Sequence, residues 1–401
     1  MNILVLQETD WLIKGPNTQH HIFERLSLNP SIKIEIIDYD IYKSMHADSL
    51  MIKKQVYHNI NRSIRNSRVK IIRTAHIQIP YFRRLSSLIT NLYEIFKIIR
   101  KNKPDVIISF SISNGLIGLL IAKMFKIPFI FYYIDILHEL IPIKGIKKFG
   151  RIVSRFLLKY SDYTIVVTKL LYDYVLNEGA NPKKVKIILN GISLANTKVN
   201  KEKYELLRKK FNIYENDFVI LFMGYLYDFA GLKEIIEYYD NQVKNGLINL
   251  KFIIIGYGGI YSFLKNYIKE IHAKWVMLTG RLSFFELPEY IELADLCLLS
   301  FKLNDITRNI TPVKLMEYMA MQKPVLSTEL PSVINEIGEN NGVIFAKNQN
   351  HLIEMIGELS INKQELKEIG IKGFNLIKQK YLWSKLINKF KKIMLYVIKK
   401  R

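Results

Sequence analysis

Thr311-Pro312-Val313-Lys314-Leu315-Met316-Glu317-Tyr318-Met319-Ala320, followed by Pro324-Val325-Leu326-Ser327-Thr328, reads as a helix that feeds a strand. At 100° per residue, Leu315, Met316, Met319 and Ala320 fall on one face of that helix, with Lys314, Glu317 and Tyr318 on the other. The first face reads as core, the second as free for a ligand. Thr311 is placed to cap the helix and Pro312 to occupy its first turn. A short apolar strand after an amphipathic helix is the repeating unit of a parallel sheet flanked by helices.

Working outward, the unit repeats. Strands are expected at 218–223, 250–255, 275–279, 296–301, 324–328 and 342–346, and helices near 231–245, 260–272, 284–293, 312–321 and 331–338. That spacing predicts a doubly wound domain. Ser283-Phe284-Phe285-Glu286 has the form of a capping box at a helix start. A first series precedes it, with strands at 2–7, 32–38, 69–73, 105–110, 128–134, 163–167 and 184–189, and helices near 80–102, 113–126, 143–160 and 169–178. The polar link Gly191–Asn200 separates the two series, and from Asn348 the chain reads as helical. The expected fold class is α/β with two Rossmann-like doubly wound domains, residues 1–195 and 196–377, and a basic C-terminal helix over 378–401.

A chain of 401 residues suits two domains, and 49% hydrophobic with 24% charged residues excludes a disordered one. Cys297, the single cysteine, sits in Leu296-Cys297-Leu298-Leu299 and reads as a buried thiol; a chain with no internal disulfide fits a reducing cytoplasm. Met1-Asn2-Ile3-Leu4-Val5-Leu6 lacks a basic leader and reads as a strand rather than a signal peptide.

The net charge of +23 is unevenly spread. Residues 1–195 hold 29 Lys and Arg against 14 Asp and Glu; residues 196–377 hold 21 against 22; the last 24 hold 9 against none. A near-neutral segment between two basic ones implies an anionic partner for the first domain and the tail. Lys144, Lys147, Lys148, Arg151, Arg155 and Lys159 project within about 60° of one direction on a helix. Ile146, Phe149, Val153, Phe156 and Leu157 lie opposite and are expected to pack on the sheet. The basic face is then able to lie on an anionic membrane surface by electrostatics alone, each exposed cation contributing about 1 kcal/mol; a solvated basic face is the alternative. Arg62, Arg65, Arg68, Lys70 and Arg73 come with no nucleic-acid motif, so no nucleic acid is expected.

A helix start presents unpaired N–H groups, and with Lys314 one turn in it suits a diphosphate; Glu317 can accept from ribose hydroxyls. A surface Lys–Glu pair at i, i+3 is the alternative. Asp38-Tyr39-Asp40 has the Asp-x-Asp form of a metal site but no acidic or glycine-rich neighbours, so no metal is expected. No zinc spacing, Gly-x-Gly-x-x-Gly turn or Gly-Lys-Ser/Thr loop occurs.

Several pieces in register resemble the second domain of family 4 retaining glycosyltransferases of the GT-B fold. They are Phe222-Met223-Gly224-Tyr225-Leu226 with Gly231-Leu232, Ile253-Ile254-Ile255-Gly256-Tyr257-Gly258-Gly259, Leu278-Thr279-Gly280-Arg281-Leu282, Glu286-Leu287-Pro288-Glu289-Tyr290 and Ala294-Asp295-Leu296. The Pro-x-Lys-x-x-Glu-Tyr form at 312–318 is similar to one subgroup. The resemblance implies two domains facing a central cleft, the last helix crossing back to the first domain, and transfer of a sugar, with retention and without metal or other cofactor, from a nucleotide-diphosphate sugar.

On the donor side it implies Gly15, Gly224, Gly256, Arg281, Asn309, Thr311, Lys314 and Glu317, and on the acceptor and catalytic side Asp135 and His138. The acceptor is expected to be a lipid-linked saccharide or another cell-envelope glycan, and the protein to be cytoplasmic and peripheral on the inner face of the membrane. Tyr225 and Ala230 stand where the family often has an Arg and a Lys on the diphosphate, and Asn309 where it has the first of two glutamates; Lys314, with Arg308, is expected to replace part of that charge. A nucleotide-sugar epimerase, which would keep the fold and donor site but need no separate acceptor, is one alternative; a non-catalytic membrane-bound relative is the other, which these departures leave open.

Overall fold

A computed structural model of the chain describes all residues except 40–49, 80–81, 140–143, 305–306, 310 and 401. The chain divides into two units, Met1–Asn190 with Trp383–Arg401, and Gly191–Leu382.

The first unit runs β1 (Asn2–Leu6), α1 (Thr18–Leu26), β2 (Lys33–Asp38), β3 (Met51–Ile52), β4 (Gln55–His58), β5 (Lys70–Arg73), β6 (His76–Ile77), α2 (Phe82–Lys101), β7 (Val106–Ser109), α3 (Ser113–Met124), β8 (Phe129–Tyr133), α4 (Lys144–Tyr160), β9 (Tyr163–Val166), α5 (Lys169–Asn177) and β10 (Val185–Ile187). Its main sheet has the order β10-β9-β8-β7-β1-β2-β5-β4, parallel except at the β4 edge. Every residue of β7 and β8 is buried, because helices cover both faces of a parallel sheet and leave no side for polar alternation.

The second unit runs α6 (Lys201–Lys210), β11 (Phe218–Met223), α7 (Leu232–Lys244), β12 (Leu250–Ile255), α8 (Tyr261–Glu270), β13 (Val276–Gly280), α9 (Leu287–Glu292), β14 (Leu296–Leu299), α10 (Val313–Ala320), β15 (Val325–Thr328), α11 (Pro331–Ile337), β16 (Val343–Ala346), α12 (Gln349–Leu359) and α13 (Lys363–Lys380). Its sheet is parallel, in the order β13-β12-β11-β14-β15-β16. Numbered within the unit this is 3-2-1-4-5-6, the Rossmann order, with its switch point between β11 and β14. Cys297 is buried in β14.

The last helix, α14 (Trp383–Lys399), belongs to the first unit. Phe390 meets Phe23 of α1 edge-on at 6.1 Å and lies 5.9 Å from Tyr132 of β8, while Trp383 stacks on His21 at 5.3 Å. The dividing points differ from residues 195 and 377 for a local reason. Ile192 bridges Leu382 and donates its N–H to the Tyr381 carbonyl at 2.7 Å, so the link and the end of α13 close together within the second unit.

Two expectations about α4 are corrected. Val153 and Leu157 are buried, but Ile146, Phe149 and Phe156 are 38–63% exposed, because the buried stripe is narrower than the apolar one. The basic face is also partly neutralised within the unit: Arg151 and Arg155 both grip Glu178, at 2.5 and 2.8 Å, and Lys147 pairs with Glu139. Lys148 and Lys159 are exposed, and the side chain of Lys144 lies outside the described residues. No helix among the described residues is long and apolar enough to cross a membrane.

Candidate active site

In an open α/β sheet the crevice for a ligand opens where the strand order reverses, beyond the carboxyl ends of the strands. In the second unit that places it beyond β11 and β14. Gly224 follows β11 with φ 134°, and Gly256 follows β12 with φ 143°. The Gly256 N–H donates to the Gly280 carbonyl at 2.9 Å, and a Cβ at Gly256 would overlap the Gly224 carbonyl. Three strand ends therefore converge as bare backbone; Gly224 and Gly256 both need glycine's dihedral freedom, and Gly256 needs the space as well.

Lys314, in the first turn of α10, reaches into this crevice. Its Nζ lies 3.7 Å from the centre of the Phe222 ring and 4.4 Å from that of Phe301, at the ends of β11 and β14, and 3.3 Å from where a Cβ on Gly224 would stand. The side chain is 9% exposed and has no hydrogen bond or ion pair among the described residues. Burial holds its pKa well below the usual lysine value, and the Glu317 carboxylate opposes that shift. The lysine head group is kept in place by two aromatic faces, with no carboxylate in contact with it among the described residues. A surface Lys–Glu pair is thereby excluded.

Glu317 is half-buried and lines a small pocket with Thr197, Phe284, Leu287 and Pro288. Burial pushes its pKa up to about 7, and Lys314 works against the rise. Tyr318 is not on a ligand face: it is fully buried, and its hydroxyl accepts the Met223 N–H at 2.8 Å, which fixes α10 beneath the end of β11. Thr311 does not cap α10. Pro312 occupies the cap without a side-chain bond, and Thr311 Oγ1 is 2.8 Å from Ser332 Oγ on α11. Arg281 and Arg308 are exposed, and the side chain of Asn309 lies outside the described residues.

Tyr225 and Ala230, the two departures in phosphate ligands, sit on different sides of one loop. Ala230 is buried, whereas Tyr225 is half-exposed and begins an aromatic ladder in which Tyr225, Tyr227 and Phe229 follow at 4.5 Å centroid spacings. Phe229 in turn meets Phe301, 5.8 Å away.

In the first unit, Gly15 lies in the turn ahead of α1, its carbonyl 3.5 Å from the Arg62 guanidinium. His20 is structural: Nε2 donates to the Trp11 carbonyl at 3.0 Å, Nδ1 accepts the Asn17 N–H at 2.9 Å, and burial lowers its pKa to about 3. Asp135 and His138 follow β8 at the carboxyl edge. Asp135 is half-buried with a raised pKa, and its Oδ1 accepts the Ile136 N–H at 2.8 Å. His138 is buried rather than solvated; Nε2 is 3.4 Å from the Tyr174 hydroxyl, Nδ1 has no partner among the described residues, and burial lowers its pKa.

Asp38 is engaged inside the first unit. It binds the Arg73 guanidinium at 2.9 Å and the Trp11 N–H at 3.0 Å, while Asp40 lies outside the described residues. Among the described residues no group of His, Cys, Asp and Glu is arranged to hold a metal ion.

The sequence matches two family models, "Glycosyltransferase Family 4" over residues 55–196 and "Glycosyl transferases group 1" over residues 203–375, which together span most of the chain. The chain is a glycosyltransferase of the GT-B fold. An uncharacterized glycosyltransferase of Methanocaldococcus jannaschii is 25% identical over 381 residues, 93% of this chain and 92% of its own length. UDP-Gal:alpha-D-GlcNAc-diphosphoundecaprenol alpha-1,3-galactosyltransferase of Escherichia coli is 22% identical over 309 residues, 72% of this chain and 76% of its own. The crystal structure of Anabaena HepE in complex with UDP superposes with a TM-score of 0.71 at 14% identity, covering 99% of this chain and 100% of that one.

In this glycosyltransferase the aromatic pair around Lys314 had no signal in the sequence. Phe222 and Phe301 read as ordinary core positions of strand ends, and only the sheet order makes them neighbours.

Proposed function

We propose that this enzyme transfers a hexosyl group, with retention and without metal, from a nucleotide-diphosphate sugar to a lipid-linked saccharide or other cell-envelope glycan. Lys314 carries the reading: a buried lysine at a Rossmann switch point, held on aromatic faces and with no carboxylate in contact with it among the described residues, suits the diphosphate of a donor. The α10 start adds backbone N–H groups, and Glu317 faces the ribose hydroxyls. The Pro-x-Lys-x-x-Glu-Tyr form then marks a subgroup in which this lysine takes over charge that Tyr225 and Ala230 do not supply.

In the reaction the bond from the anomeric carbon to the diphosphate oxygen breaks with its electron pair leaving on the nucleotide, the acceptor hydroxyl oxygen bonds to the same carbon, and the hydroxyl proton passes to the departing diphosphate oxygen. Charge grows on the leaving diphosphate, and a fixed ammonium in a site poor in water stabilises it there. Asp135 is assigned to orient the acceptor hydroxyl, with His138 behind it. The acceptor class has the support of the Escherichia coli relative, whose name specifies a diphosphoundecaprenol acceptor. With the exposed cations Lys148 and Lys159 on a first unit of positive charge, this acceptor supports a location at the inner, anionic face of the membrane.

A thermal-shift screen of nucleotide sugars tests the donor site, since a bound donor raises native stability by mass action. A shift for at least one donor that Lys314→Ala abolishes is expected. Equal shifts in both proteins would refute the assignment. Turnover in the presence of a chelator and the anomeric configuration of the product, read by NMR, test metal independence and retention.

A further inference from the structure

The helices α2, α3 and α4 form one layer over the first unit's sheet, α3 packing on β1, β7 and β8 and against both neighbouring helices. A layer of this kind normally buries its apolar stripes and shows charge outward. Here the outward faces are apolar. On α2, Phe82, Leu85, Ile89 and Tyr93 are 56–68% exposed at helical spacing, opposite the buried Asn91, Ile95 and Ile98. On α3, Leu120 and Met124 are 55% and 59% exposed. On α4, Phe149 and Ile152 are 63% and 65% exposed, and Phe156 continues their stripe.

Charge says what covers this face. The three helices contain one carboxylate, Glu94, which is buried against Lys54 at 2.6 Å. Exposed cations border the apolar stripes: Lys97 and Arg100 on α2, and Lys148 and Lys159 on α4, while Lys123 on α3 pairs with Asp162 at 3.0 Å. On α4 the stripe Phe149-Ile152-Phe156 lies between the buried stripe and the cations, so headgroup contact and acyl contact are available side by side. A second copy of the chain would bring the same cations against these and be repelled, whereas an anionic bilayer answers both features.

We propose that the α2–α3–α4 face inserts its apolar side chains into the headgroup and acyl boundary of an anionic bilayer. This rests on the membrane-surface reading above and deepens it from electrostatic contact to insertion, with Phe149, Ile152 and Ile89 as the inserted groups. The enzyme then docks through the α2–α3–α4 layer, on which this apolar stripe lies.

The test uses the full chain with vesicles of phosphatidylcholine alone or with about one-third phosphatidylglycerol, at low salt and at about 0.5 M NaCl, where surface charge is screened. Sedimentation with anionic vesicles that partly survives salt is expected, and Phe149→Ser with Ile152→Ser should weaken it about tenfold or more at unchanged thermal stability. Insertion is read directly with Phe149→Trp: Trp11, Trp275 and Trp383 are buried, so quenching by brominated phospholipid would report the introduced indole. Tyr214→Trp, on the exposed surface of the second unit, should not be quenched.

Binding that salt abolishes, with no quenching of the Phe149→Trp variant, would overturn insertion and leave the electrostatic reading standing. No sedimentation with anionic vesicles at any salt would overturn both. A lipid-free dimer that Phe149→Ser with Ile152→Ser converts to monomer would show that a second copy covers the face, and would overturn the proposal.

Discussion

At the scale of single residues, Lys314 and Glu317 make opposite demands on stability and binding. A buried lysine with no carboxylate partner among the described residues destabilises the ligand-free protein, and the Phe222 and Phe301 faces offset only part of that cost. Lys314→Met, which keeps the stem and removes the charge, is expected to stabilise the ligand-free enzyme by ~1–2 kcal/mol. The same change should weaken donor binding about 10–100-fold, the worth of a charge-assisted contact. Paired melting curves and donor titrations read both signs, and loss of stability with unchanged affinity would contradict the assigned role.

Glu317 gives a pH dependence. Its folded pKa, about 7, lies above the usual 4.5, so its contribution to stability is full below 4.5 and is lost as pH rises through 7. Ribose hydroxyls need the ionised carboxylate as acceptor, so donor affinity should move the other way, tightening on the order of tenfold from pH 6 to pH 8. Glu317→Gln should flatten that profile, as calorimetric titration at several pH values would reveal.

At the scale of elements, the strand ends are tight enough to be tested by one methyl group. Gly256→Ala would force a Cβ into the Gly224 carbonyl at a dihedral that L residues rarely adopt, so a loss of ~1–3 kcal/mol is expected, with damage confined to the second unit. Hydrogen exchange should show lost protection in β11 and β12 and none in the first unit. These strands were legible because fully buried parallel strands are continuous apolar runs, and most expected elements lie within a residue or two of their observed ends. Helix α6 was missed because none of its residues is buried, which removes the apolar period that betrays a helix. The site was half legible. Lys314 and Glu317 stand out by spacing on α10, but a single helix cannot say that its outer face is roofed by β11, and so Tyr318 was assigned to the wrong side. The width of the buried stripe on α4 was likewise invisible, because periodicity records which residues are apolar and not how many of them the sheet covers.

At the scale of the whole molecule, the chain leaves the first unit at Asn190 and returns to it at Trp383. The first unit is therefore complete only after the second has been made. Phe390 is fully buried against Phe23 and Tyr132, and Trp383 against His21, so α14 closes one face of a sheet whose strands all precede it by about half the chain or more. Replacing Phe390 by Ala should cost ~3–5 kcal/mol, as truncating a buried aromatic usually does. The loss should fall on the first unit alone. Deleting residues 383–401 is the stronger form: it uncovers Phe23 and Tyr132 at once and leaves every strand of the second sheet untouched. Hydrogen exchange on the truncated chain is then expected to show lost protection in α1 and β8 with β11, β12 and β14 still protected, and a nucleotide sugar should still shift the melting of the second unit through Lys314. If both units lost protection together, α14 would be holding the molecule as one cooperative body, and donor binding would vanish with it.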